Sequence, residues 1–520
     1  MKELKFEELT TRQKLGMTFT ALLHRAYRPD YEWVYEMIRQ RSLGAVWIQE
    51  GVENSEEYMR KVKEIADYPI LIITDAESGI DAYKVGRHNA IGCTGSEKHA
   101  YAFGKTVGVT ARKMGYNVVC DPVLDMIDGH QRSLGTDKYK VAALAAAEAQ
   151  GLHDGGVLTV GKHYPTGSLL HDIDSHMAES LSTDTAQELL DYYLYPYTQL
   201  IEKGLLDGLM SQHKRFLNID PEHPATLSKP VLDIIRQQGF DGFFITDGLT
   251  MMGIRARYND VTSKGLAISA GIDLLLPFEW NNPEQFGQYC EAYEKGLIPE
   301  DMLNAAVKRV LAAQHKVMCL PQDAELTQEE IETFHNINKD SIYTKIDEGT
   351  PATIARDGKH FFALMVDQET DIAAGGQPAV DTFSHGWLYP ERVIGKIREL
   401  FPNSAVRMIH QFPSPGEIRD LLNASLGYDE FVFMTFVEPL GYTGEDRLTH
   451  RIVKLFQAMQ LTNRISTVIH VGNPHMLEDL PHIPRCIFGG LSAESVDACF
   501  EVLAGEYPAK GVPTYTFDLQ

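Results

Sequence analysis

Short apolar runs alternate with longer amphipathic stretches over roughly the first 320 residues, a cadence that restricts this region to parallel strands covered by helices. The runs fall at residues 44–48, 70–73, 117–120, 157–160, 208–210, 242–245 and 274–276. Between them lie stretches with helical spacing of apolar residues, such as 96–114 and 138–153. Seven or eight such units in roughly 300 residues predict an α/β fold that begins with a (β/α)8 barrel of the TIM type. An open doubly wound sheet is the alternative, but no G-x-G-x-x-G opens a helix. Residues 301–316 close the region with a helix pattern, and 327–345 read as a polar connector helix. A second series of runs at 361–366, 406–409, 431–436 and 467–471 follows, with helical segments at 391–400 and 449–459. It predicts a smaller three-layer α/β/α domain. The expected division is therefore 1–340 and 341–520.

Composition narrows the classes. At 520 residues the chain calls for two or three domains, and 44% hydrophobic with 23% charged residues suits packed cores rather than disorder. A formal net charge of −24 repels nucleic acid and anionic membrane, so neither is an expected partner. The six cysteines, at 93, 120, 290, 319, 486 and 499, form no C-x-x-C pair, which fits scattered thiols in a reducing compartment better than a disulfide framework. The N-terminal residues offer no apolar core or cleavage site, so no signal peptide is expected, and no run of about 18 apolar residues exists to span a membrane. A cytoplasmic location is expected, and the oligomeric state is left open.

Parallel barrels gather the C-terminal ends of their strands around one pocket. Here Asp75 and Glu77 follow the second run, Asp121 and Asp125 the third, with Arg132 further on. Lys162 and His163 follow the fourth, then a loop with Asp172, Asp174 and His176; His213 follows the fifth and Asp247 the sixth. A single strand-end Asp is often a cap or a turn residue. Five successive strand ends carrying such groups argue for a shared pocket. The H-x-H spacing of a metal-binding barrel is absent, and Lys162 would oppose a nearby dication, so neither a metal nor another cofactor is expected.

These segments resemble the N-terminal domain of family 3 glycoside hydrolases, most closely its bacterial β-N-acetylglucosaminidase branch. Asp75-Ala76-Glu77-Ser78-Gly79 resembles that family's D-x-E-G-G. Pro122-Val123-Leu124-Asp125 and Arg132-Ser133-Leu134-Gly135 resemble its P-V-x-D and R-S-F-G. Lys162-His163-Tyr164-Pro165 resembles K-H-F-P, and Asp174-Ser175-His176 the D-S-H of the hexosaminidase branch. Ile245-Thr246-Asp247 and Ala270-Gly271-Ile272-Asp273 follow in the family's order, and Gly472-Asn473-Pro474 matches its C-terminal domain more loosely. The resemblance implies a retaining, exo-acting hydrolase of terminal β-linked sugars, foremost β-N-acetylhexosaminides. It implies Asp247 as nucleophile and Asp174 with His176 as the acid/base pair.

The chemistry of the residues agrees with that implication. Retaining hydrolysis needs a carboxylate beneath the anomeric carbon and a proton donor beside the leaving oxygen. An imidazole can be that donor because its unperturbed pKa lies near neutrality. In an extended segment Asp174 and His176 face the same way, so the carboxylate can orient the ring. Asp75, Arg132, Lys162 and His163 suit hydrogen bonding to sugar hydroxyls, with a barrel-mouth ion-pair network as the alternative for Arg132 and Lys162. His213 either lines the pocket or caps a strand.

The chain departs from the family pattern at Thr166-Gly167-Ser168, at Ser78, and at Ile80-Asp81-Ala82-Tyr83-Lys84, where the hexosaminidase branch carries an Arg. Three other readings therefore stand beside hydrolysis: phosphorolysis by the same residues, a β-glucosidase-like enzyme drawing its acid from Glu438 or Glu445, and a non-catalytic sugar-binding protein.

Overall fold

The structure, a computed structural model, describes residues 2–23, 31–49, 55–126, 131–170, 175–279, 281–368, 381–382, 390–437, 447–462 and 464–514. The chain divides into two compact units. The first comprises Met1–Tyr83, Glu97–Ile127 and Asp137–Phe334; the second comprises Lys84–Ser96, Asp128–Thr136 and His335–Gln520. A linear division at residue 340 does not capture the two short segments, which lie early in sequence but group with the later unit.

Seven parallel strands form a curled sheet in the first unit, neighbours in the order of the chain: β1 (Thr20–Leu23), β2 (Ala45–Ile48), β3 (Leu71–Thr74), β4 (Val118–Val119), β5 (Leu158–Tyr164), β6 (Gly208–Ser211) and β7 (Phe243–Thr246). Leu274 then bridges Ile245 in β7, while Leu275 bridges Phe19 just ahead of β1, both in the parallel sense. This links the last strand to the first, and the unit is a TIM-like barrel. β1 was not among the expected runs. The helix Thr11–Met17 leads into it with no Gly or Pro between them, so the boundary carries no punctuation.

β1, β2, β3, β6 and β7 are buried at every position. That is expected where strands have side chains inside the barrel on one face and helices on the other. Ala45 and Trp47, Leu71 and Ile73, and Phe243 and Ile245 join one core with Val310, Ala313 and Val317 of the helix Glu300–Cys319. Two long helices, Glu97–Met114 and Lys138–Gly155, cross closely: a side chain at Gly104 would strike the Glu148 carbonyl, and one at Gly151 the Tyr101 carbonyl.

The second unit holds a mixed sheet of β8 (Tyr343–Ile346), β9 (His360–Gln368), β10 (Ala405–His410), β11 (Glu430–Val437), β12 (Thr467–Gly472) and β13 (Arg485–Gly489). Its order is β8-β13-β12-β11-β9, then the short strand Asp381–Thr382, with β10 also on β9; β8 and Asp381–Thr382 run antiparallel to their neighbours. Helices Pro390–Leu400 and Ala493–Ala504 bury Val393, Ile397 and Phe500 in a core with Phe362, Val432 and Ile469. β8 and β13 were not expected. All six cysteines are unpaired, and four are buried. No helix among the described residues is long and apolar enough to cross a membrane.

Candidate active site

The cluster begins with Lys162 inside β5. Its side chain is 1% exposed, and its ammonium lies 2.6 Å from Asp75 Oδ1 and 2.6 Å from Glu77 Oε1. A buried charge persists only when paired. The two carboxylates after β3 supply that pairing. Asp75 remains half-exposed, so it is the part of this network that meets solvent.

His163 follows at a register shift. Lys162 pairs with Met210 and Tyr164 with Ser211, which leaves His163 as the extra residue of a bulge. Bulges re-aim side chains, and here the imidazole turns toward Asp125. Asp125 Oδ1 accepts the His163 backbone N–H at 3.1 Å and the Thr166 hydroxyl at 3.1 Å. Its Oδ2 accepts the His163 ring N–H at Nδ1, at 2.6 Å. The opposite ring nitrogen, Nε2, stands 3.9 Å from Asp247 Oδ2.

Asp247 is the first residue after β7. Its backbone N–H donates to Ser211 O at 3.0 Å, which ties it to the end of β6. Its Oδ1 accepts the Gly248 N–H at 2.7 Å. The side chain is 27% exposed, enough to meet a ligand while remaining walled on most sides.

His213, two residues beyond β6, is buried, and protein groups engage both ring nitrogens. Nε2 lies 3.0 Å from the Gly248 carbonyl and Nδ1 2.8 Å from the Thr226 hydroxyl. A carbonyl only accepts, so Nε2 carries the hydrogen. Burial holds the pKa of this imidazole below the ordinary histidine value. Asp247 and the Gly248 bond pull it upward, and His163 and His176 push it down further. The ring therefore braces the peptide that follows Asp247.

His176 lies on the loop after β5. That loop is fastened to the segment beyond Asp247: Gly253 N–H donates to Ser175 O at 3.1 Å, and Met252 N–H to His176 O at 3.3 Å. The loop's base is closed where Ser168 donates twice to Asp184 Oδ2, at 2.6 and 2.9 Å, and Leu170 N–H to Leu181 O at 3.0 Å. Lys214, buried, holds the same base by donating to the Thr166 and Gly167 carbonyls at 2.7 and 2.8 Å. Burial lowers its pKa to about 8.

Of the residues singled out in the sequence, Asp75, Lys162, His163, His213 and Asp247 thus gather at one end of the first unit, with the loop of His176 attached there. Asp174 lies outside the described residues, as do Glu438 and Glu445. Arg132 belongs to the segment Asp128–Thr136 of the second unit. Sequence reasoning missed Lys214 and Asp184. Lys214 sits in the polar run Ser211-Gln212-His213-Lys214-Arg215, which carries no sign that its lysine is buried.

Residues 10–313 match the family model described as the glycosyl hydrolase family 3 N terminal domain. The chain is 26% identical over 329 residues to the beta-N-acetylglucosaminidase/beta-glucosidase of Cellulomonas fimi, covering 59% of this chain but only 57% of that protein. It is 31% identical over 246 residues to the beta-hexosaminidase of Haemophilus influenzae, covering 44% of this chain and 69% of that one. Among solved structures, a glycoside hydrolase family 3 beta-N-acetylglucosaminidase from Paenibacillus sp. str. FPU-7 superposes with a TM-score of 0.80 at 22% identity, covering 98% of this chain and 100% of the other. At that identity the likeness concerns the fold alone.

Proposed function

The chain belongs to glycosyl hydrolase family 3, and from that premise we propose that it is a retaining, exo-acting glycosidase of terminal β-linked sugars, foremost β-N-acetylhexosaminides. The observation that carries the reading is the meeting of Asp247 with His163 at a barrel mouth to which the loop of His176 is fastened. In this reading residues 274–276 are the eighth stave of a (β/α)8 barrel, and the second unit is a three-layer α/β/α domain. The unpaired, mostly buried cysteines favour a reducing, cytoplasmic setting.

Asp247 attacks the anomeric carbon through one carboxylate oxygen as the bond to the leaving oxygen breaks. Protonated His176 gives its proton to that oxygen, and the aglycone departs as an alcohol. A glycosyl ester on Asp247 and a neutral imidazole remain. Water then gives a proton to His176 while its oxygen attacks the anomeric carbon, which frees the sugar and the Asp247 carboxylate. Asp174 orients the imidazole and steadies its charge, as the carboxylate of a triad does. Asp75 accepts hydrogen bonds from sugar hydroxyls, and Lys162 fixes Asp75 by its short ion pair. His163 lies beside Asp247, where a ring hydroxyl is within its reach. His213 positions the nucleophile through the Gly248 carbonyl.

Phosphate in place of water gives phosphorolysis with the same residues. An imidazole in place of an acidic carboxylate favours it, because a neutral ring repels an incoming phosphate less. One experiment addresses both readings. A 5-fluoro-β-N-acetylglucosaminide or a 2-fluoroglucoside carrying a good leaving group is incubated with the enzyme, and the peptide that gains the sugar's mass is identified. The expected product is a label on the peptide bearing Asp247, lost in Asp247→Asn. A label elsewhere overturns the assignment. A turnover rate that rises with added phosphate and yields a sugar 1-phosphate selects phosphorolysis.

A further inference from the structure

We propose that the aglycone side of this pocket is an apolar surface built by Phe278, Met252 and Met177, and that it selects glycosides whose leaving group is an apolar chain or ring. The inference rests on the glycosidase reading above and adds the class of aglycone to it.

Three large apolar side chains stand exposed beside the two reacting groups: Phe278 at 40%, Met252 at 38% and Met177 at 50%. Each touches the catalytic frame. Met177 follows His176 directly, and the backbone N–H of Met252 donates to the His176 carbonyl at 3.3 Å. Phe278 Cβ lies 3.3 Å from where a side chain on Gly248 would begin, so the ring adjoins the residue after Asp247. The ring is not adrift. It packs edge-on against buried Trp47, centroids 6.2 Å apart, from a backbone with φ of 54°. A bulky residue in that left-handed conformation is uncommon and needs a surrounding structure that holds it there.

Charged neighbours on this rim are committed to one another. Arg255 pairs with Glu279 at 2.7 Å, and Glu179 takes Arg215 at 2.7 Å and Arg257 at 3.3 Å. What the rim presents to a ligand is therefore its hydrocarbon and thioether surface. One exposed apolar residue is ordinary; three grouped beside the polar cluster at one end of the barrel make an apolar patch of the type that binds ligands. In retaining hydrolysis the sugar stays over the nucleophile and the departing oxygen faces the proton donor. The group attached to that oxygen leaves past the residues flanking His176, which are Met177 and Met252. Methionines adapt to varied apolar shapes, and Phe278 adds a fixed aromatic face.

The test compares kcat/KM for methyl and hexyl β-N-acetylglucosaminides, with the matching β-glucosides alongside. Methanol and hexanol differ little in acidity, so the ratio reports recognition rather than leaving-group chemistry. The hexyl glycoside is expected to exceed the methyl glycoside by roughly tenfold or more, since several methylenes leave water. Phe278→Gly, which suits the left-handed backbone, and Met252→Ala are each expected to shrink that ratio by about threefold or more. Turnover with a ratio within about twofold of unity, or a ratio that neither variant changes, overturns this inference alone. No turnover of any glycoside overturns the glycosidase reading and this inference with it.

Discussion

Asp125 grips His163 twice, taking its backbone N–H at 3.1 Å on Oδ1 and its ring Nδ1 at 2.6 Å on Oδ2. A carboxylate only accepts, so the ring hydrogen sits on Nδ1, and the Nε2 edge is aimed at Asp247. Asp125→Asn replaces one of these acceptors with an NH2 donor. One of the two bonds must then face N–H against N–H, and the ring turns or changes tautomer. The expected loss in kcat/KM is roughly 10- to 100-fold, the scale of a hydrogen bond to a charged group. Asp125→Ala should lose at least as much. Steady-state kinetics beside a thermal unfolding midpoint separates this from misfolding.

His176 is testable by leaving group. If it protonates the departing oxygen, His176→Ala costs roughly 10²–10⁴-fold in kcat/KM for alkyl glycosides. Dinitrophenyl glycosides leave without a proton and should lose less than about tenfold in the same parameter. Hydrolysis of the glycosyl ester still needs the imidazole as base, so the activated substrate should show a rapid burst and then slow turnover. Equal losses for both substrate types would remove His176 from the acid role.

The frame of the candidate site was legible where a polar residue closely follows an apolar run, as Asp247 follows Phe243-Phe244-Ile245 with only Thr246 between them. It was illegible where three-dimensional partners decide a residue's role. The sequence leaves Lys162 open between a sugar donor and an ion-pair partner, and only the fold shows that Asp75 and Glu77 both lie 2.6 Å from its ammonium. The sequence allows His213 two roles, and the Gly248 and Thr226 bonds that engage its ring come from separate segments. The bulge that turns His163 toward Asp125 depends on pairing with β6, which no local pattern reveals. In the second unit, β13 escaped notice because it opens on Arg485, a charged residue 1% exposed whose guanidinium is satisfied by the Thr467 hydroxyl and the Pro351 carbonyl.

Lys214 should leave a signature in the pH dependence of stability. Burial lowers its pKa to about 8, with Asp125 and Asp184 pulling it back upward. An unfolded lysine titrates near 10.4. Between those values the unfolded chain holds a proton that the folded chain has released, so this residue's contribution to unfolding free energy rises with pH. The cost of burying the charge is complete below about 8 and relieved above about 10.4. Wild type should gain roughly 2–3 kcal/mol relative to Lys214→Met between pH 7 and pH 10. Urea unfolding of both proteins at the two pH values measures the gap. A gap that does not change with pH would mean the ammonium is not depressed by burial.

Gly253 is where the frame around Asp247 has no room. A Cβ there would lie 2.8 Å from His213 Cβ and 3.6 Å from the Ser175 carbonyl oxygen, which already accepts the Gly253 N–H. The first distance is below any tolerable contact, so Gly253→Ala must move either His213 or the strand of loop that carries Ser175 and His176. A shift in His213 disturbs the peptide after Asp247 through the Gly248 carbonyl; a shift in the loop moves His176, the proposed proton donor. Either way kcat/KM is expected to fall by roughly 10²-fold, because misplacing reacting groups by about 1 Å has that effect. Stability should fall by only about 1–3 kcal/mol, the usual cost of overpacking. Gly287→Ala is the control. It lies within the helix Asn282–Glu294 with open space where a Cβ would stand, and should keep full activity while gaining up to about 1 kcal/mol from helix propensity. If both variants behave alike in kinetics and in unfolding, His213 and the His176 loop do not position the reacting groups.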